Sequence, residues 1–289
     1  MRILLIGKTG QLGGDLLRNN SGHEIVAPSR SDVDVADSSS VEQAIRETRP
    51  DVLINTAAFH NVPLCENDPA KAFRINCVAV KDLARLCRRS NISFVSFSSD
   101  YVFGGEKRTP YHEDDTPGPL QIYGITRVAG EYAALAEAPE QAIVIRTCGL
   151  YGLSGAQSKG GNFVDKRIND AKNHPLLEMG SDQVVSPTYT SDLSNAIFRL
   201  LEHPSRTPGV YHLVNEGECS WYEFTIAIYE YLGLTVDLRP VDRQGKSGDM
   251  RRPLYSVLAN TKARDLGIVL PHWRDALERY LKEKNSKTE

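Results

Sequence analysis

Through the first half of the chain, short runs of aliphatic and β-branched residues alternate with longer segments whose apolar positions recur at helical spacing. The runs Arg2 to Ile6, Glu24 to Ala27, Val52 to Asn55, Ser93 to Phe97 and Ala142 to Arg146 predict strands. Between them, Gln11 to Arg18, Ser40 to Glu47, Pro69 to Arg89 and Ile122 to Glu137 predict helices. In the third helix Ala72, Ile75, Val78 or Ala79, Leu83 and Leu86 form one apolar stripe, which reads as core. Strands that alternate with helices of this length imply βαβ units, so the fold class is α/β with a parallel sheet.

After Arg146 the alternation loosens, and Gly, Ser and Lys from Gly152 to Gly161 mark a loop, read as one able to move. A two-part organisation follows: residues 1–150 as the first domain, 151–289 as mainly a second, smaller one, and a returning segment near 184–208 whose helix Ser191 to Glu202 packs on the first sheet. Trp221 to Tyr231, the segment around Arg251 to Pro253, and Trp273 to Leu281 would build the smaller part, with Trp221 and Trp273 in its core. The polar tail Lys282 to Glu289 reads as frayed.

Composition narrows the function classes. A formal charge of −3, with basic residues scattered singly or in pairs such as Arg88 and Arg89, argues against nucleic acid as a partner. The best apolar run, Ile3 to Ile6, is far short of the roughly 18 residues a membrane span needs. Five cysteines (Cys65, Cys77, Cys87, Cys148, Cys219), odd in number and without a CxxC pair, read as buried reduced thiols of a cytoplasmic protein. The acidic group Glu113, Asp114 and Asp115 reads as a solvated loop. Nothing has the spacing of a metal site.

The first strand runs into Gly7, Lys8, Thr9, Gly10, Gln11, Leu12, Gly13 and Gly14, and then into a helix. Strand, glycine turn and helix in this order suit a dinucleotide pyrophosphate, because glycines let phosphate approach backbone N–H groups at a helix N-terminus. The Gly7-Lys8-Thr9 run is no Walker loop, since the upstream glycine that motif requires would fall at Arg2. Where an NAD site commonly has a ribose-binding acid, this chain has Pro28, Ser29 and Arg30. With a guanidinium there to receive a 2′-phosphate, NADPH is expected over NADH, which remains admissible; Asp32 and Asp34 are competing charges nearby, and Arg30 also reads as a plain solvated charge. Asp34 and Val35 are placed to flank the adenine, and Ala57, Ala58 and Phe59, beyond the third strand, join the cofactor-side candidates.

Ser98, Ser99 and Asp100 follow the fourth strand directly, at the carboxyl edge where open parallel sheets bind ligands. Tyr123 and Arg127, spaced i, i+4, share one helix face. These features, with SSDYVF at Ser98 to Phe103, DQVVSPTY at Asp182 to Tyr189, CSWYEF at Cys219 to Phe224 and RRP at Arg251 to Pro253, resemble an extended short-chain dehydrogenase/reductase, most closely the dTDP-4-dehydrorhamnose reductase family, over nearly the whole chain.

The resemblance implies a Rossmann-type doubly wound parallel sheet with a smaller C-terminal α/β sugar-nucleotide domain. It implies hydride delivery to C4 of dTDP-4-dehydro-L-rhamnose while Tyr123 protonates the developing alkoxide. Ser99 would bond the sugar oxygen, Asp100 would help position it, and the Arg127 cation would bring the phenol, ordinarily near about 10, closer to working pH and bind the nicotinamide ribose. Gly149, Asn162, Gln183, Arg251 and Arg252 fall at positions expected near the sugar, the nucleotide or its diphosphate, one of the two arginines being equally readable as a surface charge. The family also implies a homodimer. It has been associated with magnesium through interface glutamates, one at the place of Asp15, but no metal is expected here.

Several positions depart from the family pattern. Arg127 stands where lysine is usual, Ser99 where threonine is, and Gly149 where a sugar-contacting tryptophan is, which would enlarge the pocket. His60 and Pro63 replace a usual Thr and Asp, and His60 is either structural or a contact to nicotinamide or substrate. Two alternatives therefore stand beside the reductase: an epimerase or dehydratase of the same superfamily, and a catalytically weak NADP-binding regulatory subunit resembling the β subunit of methionine adenosyltransferase.

Overall fold

The structure is a computed structural model and describes residues 1–20, 22–154, 161–248 and 250–286. Residues 155–160 of the Gly-, Ser- and Lys-rich stretch and 287–289 of the polar tail lie outside the described residues.

The chain opens as β1 (Arg2–Ile6), α1 (Gln11–Arg18), β2 (Glu24–Val26), α2 (Ser38–Thr48), β3 (Val52–Asn55), α3 (Val62–Asn67), α4 (Pro69–Phe73), a π-helical turn (Arg74–Val78), α5 (Ala79–Ser90), β4 (Ser93–Ser99), a 3-10 turn (Asp100–Val102), α6 (Ile122–Glu137) and β5 (Ala142–Thr147). It continues as β6 (Leu150–Tyr151), α7 (Phe163–Asn173), β7 (Leu176–Gly180), β8 (Val184–Val185), β9 (Thr188–Tyr189), α8 (Thr190–Glu202) and β10 (Gly209–His212). The last part holds β11 (Cys219–Ser220), α9 (Trp221–Leu232), β12 (Asp237–Val241), β13 (Lys246–Ser247), β14 (Met250–Arg251), α10 (Thr261–Asp265) and α11 (Trp273–Asn285).

The main sheet has the order β10-β5-β4-β3-β1-β2, and every pairing in it is parallel. Side chains alternate between its two covered faces. Ile3 and Leu5 of β1 join Ile143 and Ile145 of β5 beneath α1 and α8, while Leu4, Ile6, Leu53 and Val144 pack beneath α2, α5 and α6. Each such side chain contributes about 1.5–3 kcal/mol by burial, which is why these strands read as unbroken apolar runs. Because the chain leaves β1 toward β2 and returns to the other side at β3, a crevice opens beyond the carboxyl ends of β1 and β3.

Two elements differ from the sequence pattern for local reasons. The predicted helix from Pro69 to Arg89 contains the π turn, which admits one extra residue and turns Asn76 inward while leaving Val78 exposed. The sixth strand, β10, has only four residues and is held by its register with β5, Tyr211 against Ile145.

A separate aromatic core, with Tyr151, Tyr189, Phe224, Trp273 and Tyr280, is built by α7, α9 and α11. The solvated reading of the acidic loop is corrected at Glu113, which is buried and accepts backbone N–H bonds from His212 and Lys262; Asp114 is exposed, and Asp115 binds Lys107. Among the described residues no helix is long and apolar enough to cross a membrane, and none of the five cysteines is in a disulfide.

At the end of β5, Arg146 forms a two-pronged ion pair with Glu131 of α6 (2.9 and 2.7 Å), both side chains being about 97 % buried. His212 lies beside it, and burial first, Arg146 second, push its imidazole down from 6.5 to about 3. The unfolded imidazole takes up its proton near 6.5 and the folded one only near 3, so acid favours unfolding. This contribution to stability is whole above pH 6.5 and falls through the window down to about 3, by at most about 1.4 kcal/mol per pH unit. Asp15 and Asp100, whose burial raises their pKa, work in the opposite sense at the acid end. Thermal melts at pH 7.5 and 5.5 should show a smaller acid loss in His212→Asn than in the unaltered chain; equal losses would assign the acid sensitivity elsewhere.

Candidate active site

The glycine turn sits at the crevice. Gly7 has φ +95°, and a Cβ there would lie 2.4 Å from Thr56 Oγ1 and 2.9 Å from the Ala57 nitrogen, so the ends of β1 and β3 touch through it. A Cβ on Gly13 would lie 2.2 Å from the Gly7 carbonyl, so this glycine closes the turn onto the helix. Gly10 has a different part. It is exposed at the start of α1, makes no side-chain cap, and its Cβ position meets nothing nearer than 3.4 Å, leaving room for a phosphate at the first-turn N–H groups. Leu12 is core, and the Gln11 amide nitrogen reaches the Leu150 carbonyl at 3.4 Å while its oxygen is buried without a partner among the described residues.

Toward the other end of the crevice, Val35 is core and Asp34 caps the Ala36 nitrogen at 2.9 Å. A cavity of about 420 Å³ opens there, lined by Asp34, Ala36, Ala70, Lys71, Arg74 and Ile75. Arg30 is exposed and lies outside it. Across the crevice Ala57, Ala58 and Phe59 are half-buried, and Asn76 clamps this loop: its amide oxygen accepts from the Phe59 nitrogen, and its amide nitrogen donates to the Phe59 carbonyl (both 2.9 Å) and to Thr126 Oγ1 at 3.1 Å. Asn76 was not among the expected residues, although a lone amide within the stripe of Ala72, Ile75 and Ala79 is a visible sign of an inward polar contact.

The start of α6 presents Tyr123 and Arg127 together. The Arg127 guanidinium carbon lies 5.1 Å from the Tyr123 ring centre, and one Nη donates to the Phe97 carbonyl of β4 at 3.1 Å. Its Nε is buried with no partner among the described residues, as are the hydroxyls of Ser98 and of Thr147, the residue paired with Ser99 across β4 and β5. Orphaned buried donors of this kind are costly without a ligand to take them. Tyr101 links the two halves of the site. Its nitrogen donates to Ser99 Oγ at 3.2 Å, and its ring meets that of Tyr123 edge to face at 6.1 Å.

Asp100 lies behind Ser99 rather than in the open crevice. It is 4 % exposed and accepts from Ser99 Oγ (2.8 Å), from Ser256 Oγ (2.6 Å) and from the Cys148 thiol. Burial raises its pKa against these three hydrogen bonds, and the same burial raises the Cys148 thiol. The Asp100 carboxylate thus holds the Ser99 hydroxyl from behind, and Ser256 ties it to the segment following the two arginines.

The remaining candidates divide. Arg252 is half-buried with its Nε unpartnered among the described residues, and its charge bears on Tyr101, whereas Arg251 lies exposed on β14. Gln183 is buried between β7 and β8. Asn162 is taken up as the cap of α7: its amide nitrogen donates to the Gly152 carbonyl and the Tyr280 hydroxyl, and its oxygen accepts from the Asp165 nitrogen. Asp15 is buried, accepting from Thr190 and Arg18, and no group of three or more potential metal ligands occurs among the described residues.

A family described as the RmlD substrate binding domain matches residues 1–286. The chain belongs to that family. Relatives of this RmlD-type chain include the spore coat polysaccharide biosynthesis protein SpsK of Bacillus subtilis strain 168, 38 % identical over 99 % of this chain and 98 % of that one. A dTDP-4-keto-6-deoxy-D-glucose reductase of Streptomyces niveus is 34 % identical over 96 % and 95 %. Among solved structures, the dTDP-4-dehydrorhamnose reductase of Bacillus anthracis strain Ames in complex with NADP superposes with a TM-score of 0.91 at 31 % identity, covering 98 % of this chain and 99 % of that one.

Gly149 is where this RmlD-type chain looked most open, and the structure fills that space. The residue has φ +56°, and a Cβ there would lie 3.1 Å from Trp221 Cη2 and 3.2 Å from Pro187 Cα. Trp221, leaning on Phe163 at 4.6 Å, brings an indole edge to this wall from α9, so it is not core alone. Gly149→Trp should therefore destabilise the fold by about 2–4 kcal/mol, from the left-handed backbone and the overlap with Trp221. Thermal denaturation checks this, and a variant as stable as the parent would show that the indole moves aside freely.

Proposed function

We propose that this chain reduces the C4 keto group of a dTDP-linked 6-deoxy sugar with NADPH, dTDP-4-dehydro-L-rhamnose being the first candidate and dTDP-L-rhamnose its product. The observation that carries this reading is the Tyr123–Arg127 pair, joined through Tyr101 to Ser99, with Arg127 Nε and Thr147 Oγ1 left, among the described residues, as buried donors without partners. The residues fit the cofactor: Gly10 and the first turn of α1 for the pyrophosphate, the cavity at Asp34 for the adenine, and the spare Arg127 donors for the nicotinamide ribose.

When bound, NADPH supplies the hydride for C4. Tyr123 donates its phenolic proton to the oxygen that gains negative charge as the ketone is reduced. Ser99 holds that oxygen by turning its hydroxyl proton from Asp100 toward it, while the Tyr101 N–H keeps the Ser99 oxygen in place and Asp100 retains its bonds from Ser256 and Cys148. Arg127, anchored by the Phe97 carbonyl, keeps a positive charge against the Tyr123 ring, so an arginine meets the need for a fixed cation from this position. Arg252 faces the substrate diphosphate, with Arg251 at the rim and Gln183 and Gly149 lining the sugar side.

Residues 1–150, with the segment near 184–208, would hold the dinucleotide and 151–289 mainly the sugar nucleotide, in a cytoplasmic homodimer. The test is NADPH oxidation followed at 340 nm with enzymatically generated dTDP-4-dehydro-L-rhamnose and with the dTDP-4-keto-6-deoxy-D-glucose epimer. Turnover with either supports the reductase and names the sugar. Binding of NADPH with no turnover of either would favour the regulatory subunit.

A further inference from the structure

We propose that Lys8 is the residue by which this chain recognises the 2′-phosphate that separates NADPH from NADH. The inference rests on the reading that the turn from Gly7 to Gly14 holds a nicotinamide dinucleotide. Lys8 has no Walker-type part to play, since that spacing is absent, and its side chain runs sideways across the sheet edge. Its Nζ donates to the Ala27 carbonyl at 2.8 Å, which fixes the ammonium at the carboxyl end of β2. On that reading the adenosine ribose lies at the carboxyl end of β2, on its way from the phosphate seat at Gly10 to the cavity at Asp34.

Three features make the spot a phosphate seat. An ammonium has three donors, and the Ala27 carbonyl takes one of them. No carboxylate occupies the ribose-diol position, where Pro28, Ser29 and Arg30 stand. Asp32, the acid on which the Lys8 charge bears, is folded into its own turn, accepting from the Ser29 nitrogen at 3.1 Å and the Ser29 hydroxyl at 2.5 Å. Those bonds, and then the Lys8 charge, hold the Asp32 carboxyl below its ordinary range, so its negative charge stays and is offset by Lys8. Arg30, the residue the sequence suggests, is exposed, whereas Lys8 is half-buried and already oriented. A held cation loses less freedom on binding than a solvated one, so Lys8 carries the discrimination and Arg30 adds to it.

Calorimetric binding of adenosine 2′,5′-bisphosphate and of 5′-AMP to the full chain tests this without any turnover. The unaltered chain should prefer the bisphosphate, and Lys8→Met should lower that preference about ten- to a hundredfold, Lys8→Arg and Arg30→Met much less. Lys8→Gln, which keeps a donor for the Ala27 carbonyl but no charge, is read if Lys8→Met does not fold. The ratio of kcat/KM for NADPH over NADH should fall in parallel. A preference untouched by either neutral variant at Lys8, or removed instead by Arg30→Met, overturns the inference. Lys8-dependent preference in a chain that reduces no keto sugar would sink the reductase reading and leave this one standing.

Discussion

Tyr123→Phe is expected to lower kcat for keto-sugar reduction by about a hundred- to ten-thousandfold while the nicotinamide cofactor still binds. The reason is geometric. The phenol stands at the start of α6 between the Tyr101 ring and the Arg127 guanidinium, and the change removes one oxygen while leaving the ring that both neighbours pack on. Fold and cofactor affinity should therefore be nearly preserved, so the loss would appear in single-turnover rates with saturating cofactor. A variant within a few-fold of the parent would remove Tyr123 as proton donor and leave Ser99 or a water in its place.

The largest stability effect is expected at Glu131. Its carboxylate is the two-pronged partner of Arg146, and both are almost fully enclosed. Among the described residues the other contacts of Arg146 are the Glu113 carbonyl at 3.3 Å, His212 Nε2 at 3.4 Å and the face of Phe103 at 5.1 Å, none of them a negative charge. Glu131→Ala thus leaves an uncompensated buried guanidinium and should lower the unfolding free energy by about 3–5 kcal/mol. Replacing both members, Glu131→Leu with Arg146→Met, should recover most of it. Urea unfolding of the parent and the two variants decides: a single variant as stable as the parent would mean that water reaches Arg146. Because Arg146 directly precedes Thr147, the pair also anchors the strand end on which the site is built.

Much of this was legible in the sequence because it is local. Strands β1 and β3 and helices α1 and α6 have the predicted limits, since each is set by a run of apolar positions or by helical spacing. The placement of Tyr123 beside Arg127 follows from their i, i+4 spacing. What stayed hidden depends on partners far apart in the chain. Ser256 reaches Asp100 across 156 positions, and no pattern around either residue announces it. The indole at Gly149 comes from α9, and Asn162, read as a substrate contact, closes a helix cap and meets Tyr280. Lys8 looked like a failed phosphate motif until the Ala27 carbonyl showed where its ammonium goes. Strand β10 was missed because Gly209–His212 holds only two apolar residues, Val210 and Tyr211, against three in a row in β3, and its place is set by β5.

The most direct test of the account is isotopic. With NADPH carrying deuterium at the transferable C4 position and dTDP-4-dehydro-L-rhamnose as acceptor, the account predicts a product with one deuterium at the sugar C4 and one equivalent of NADP⁺ released per sugar reduced. A product without label, or sugar isomerised while the nicotinamide stays bound and unchanged in redox state, would contradict it.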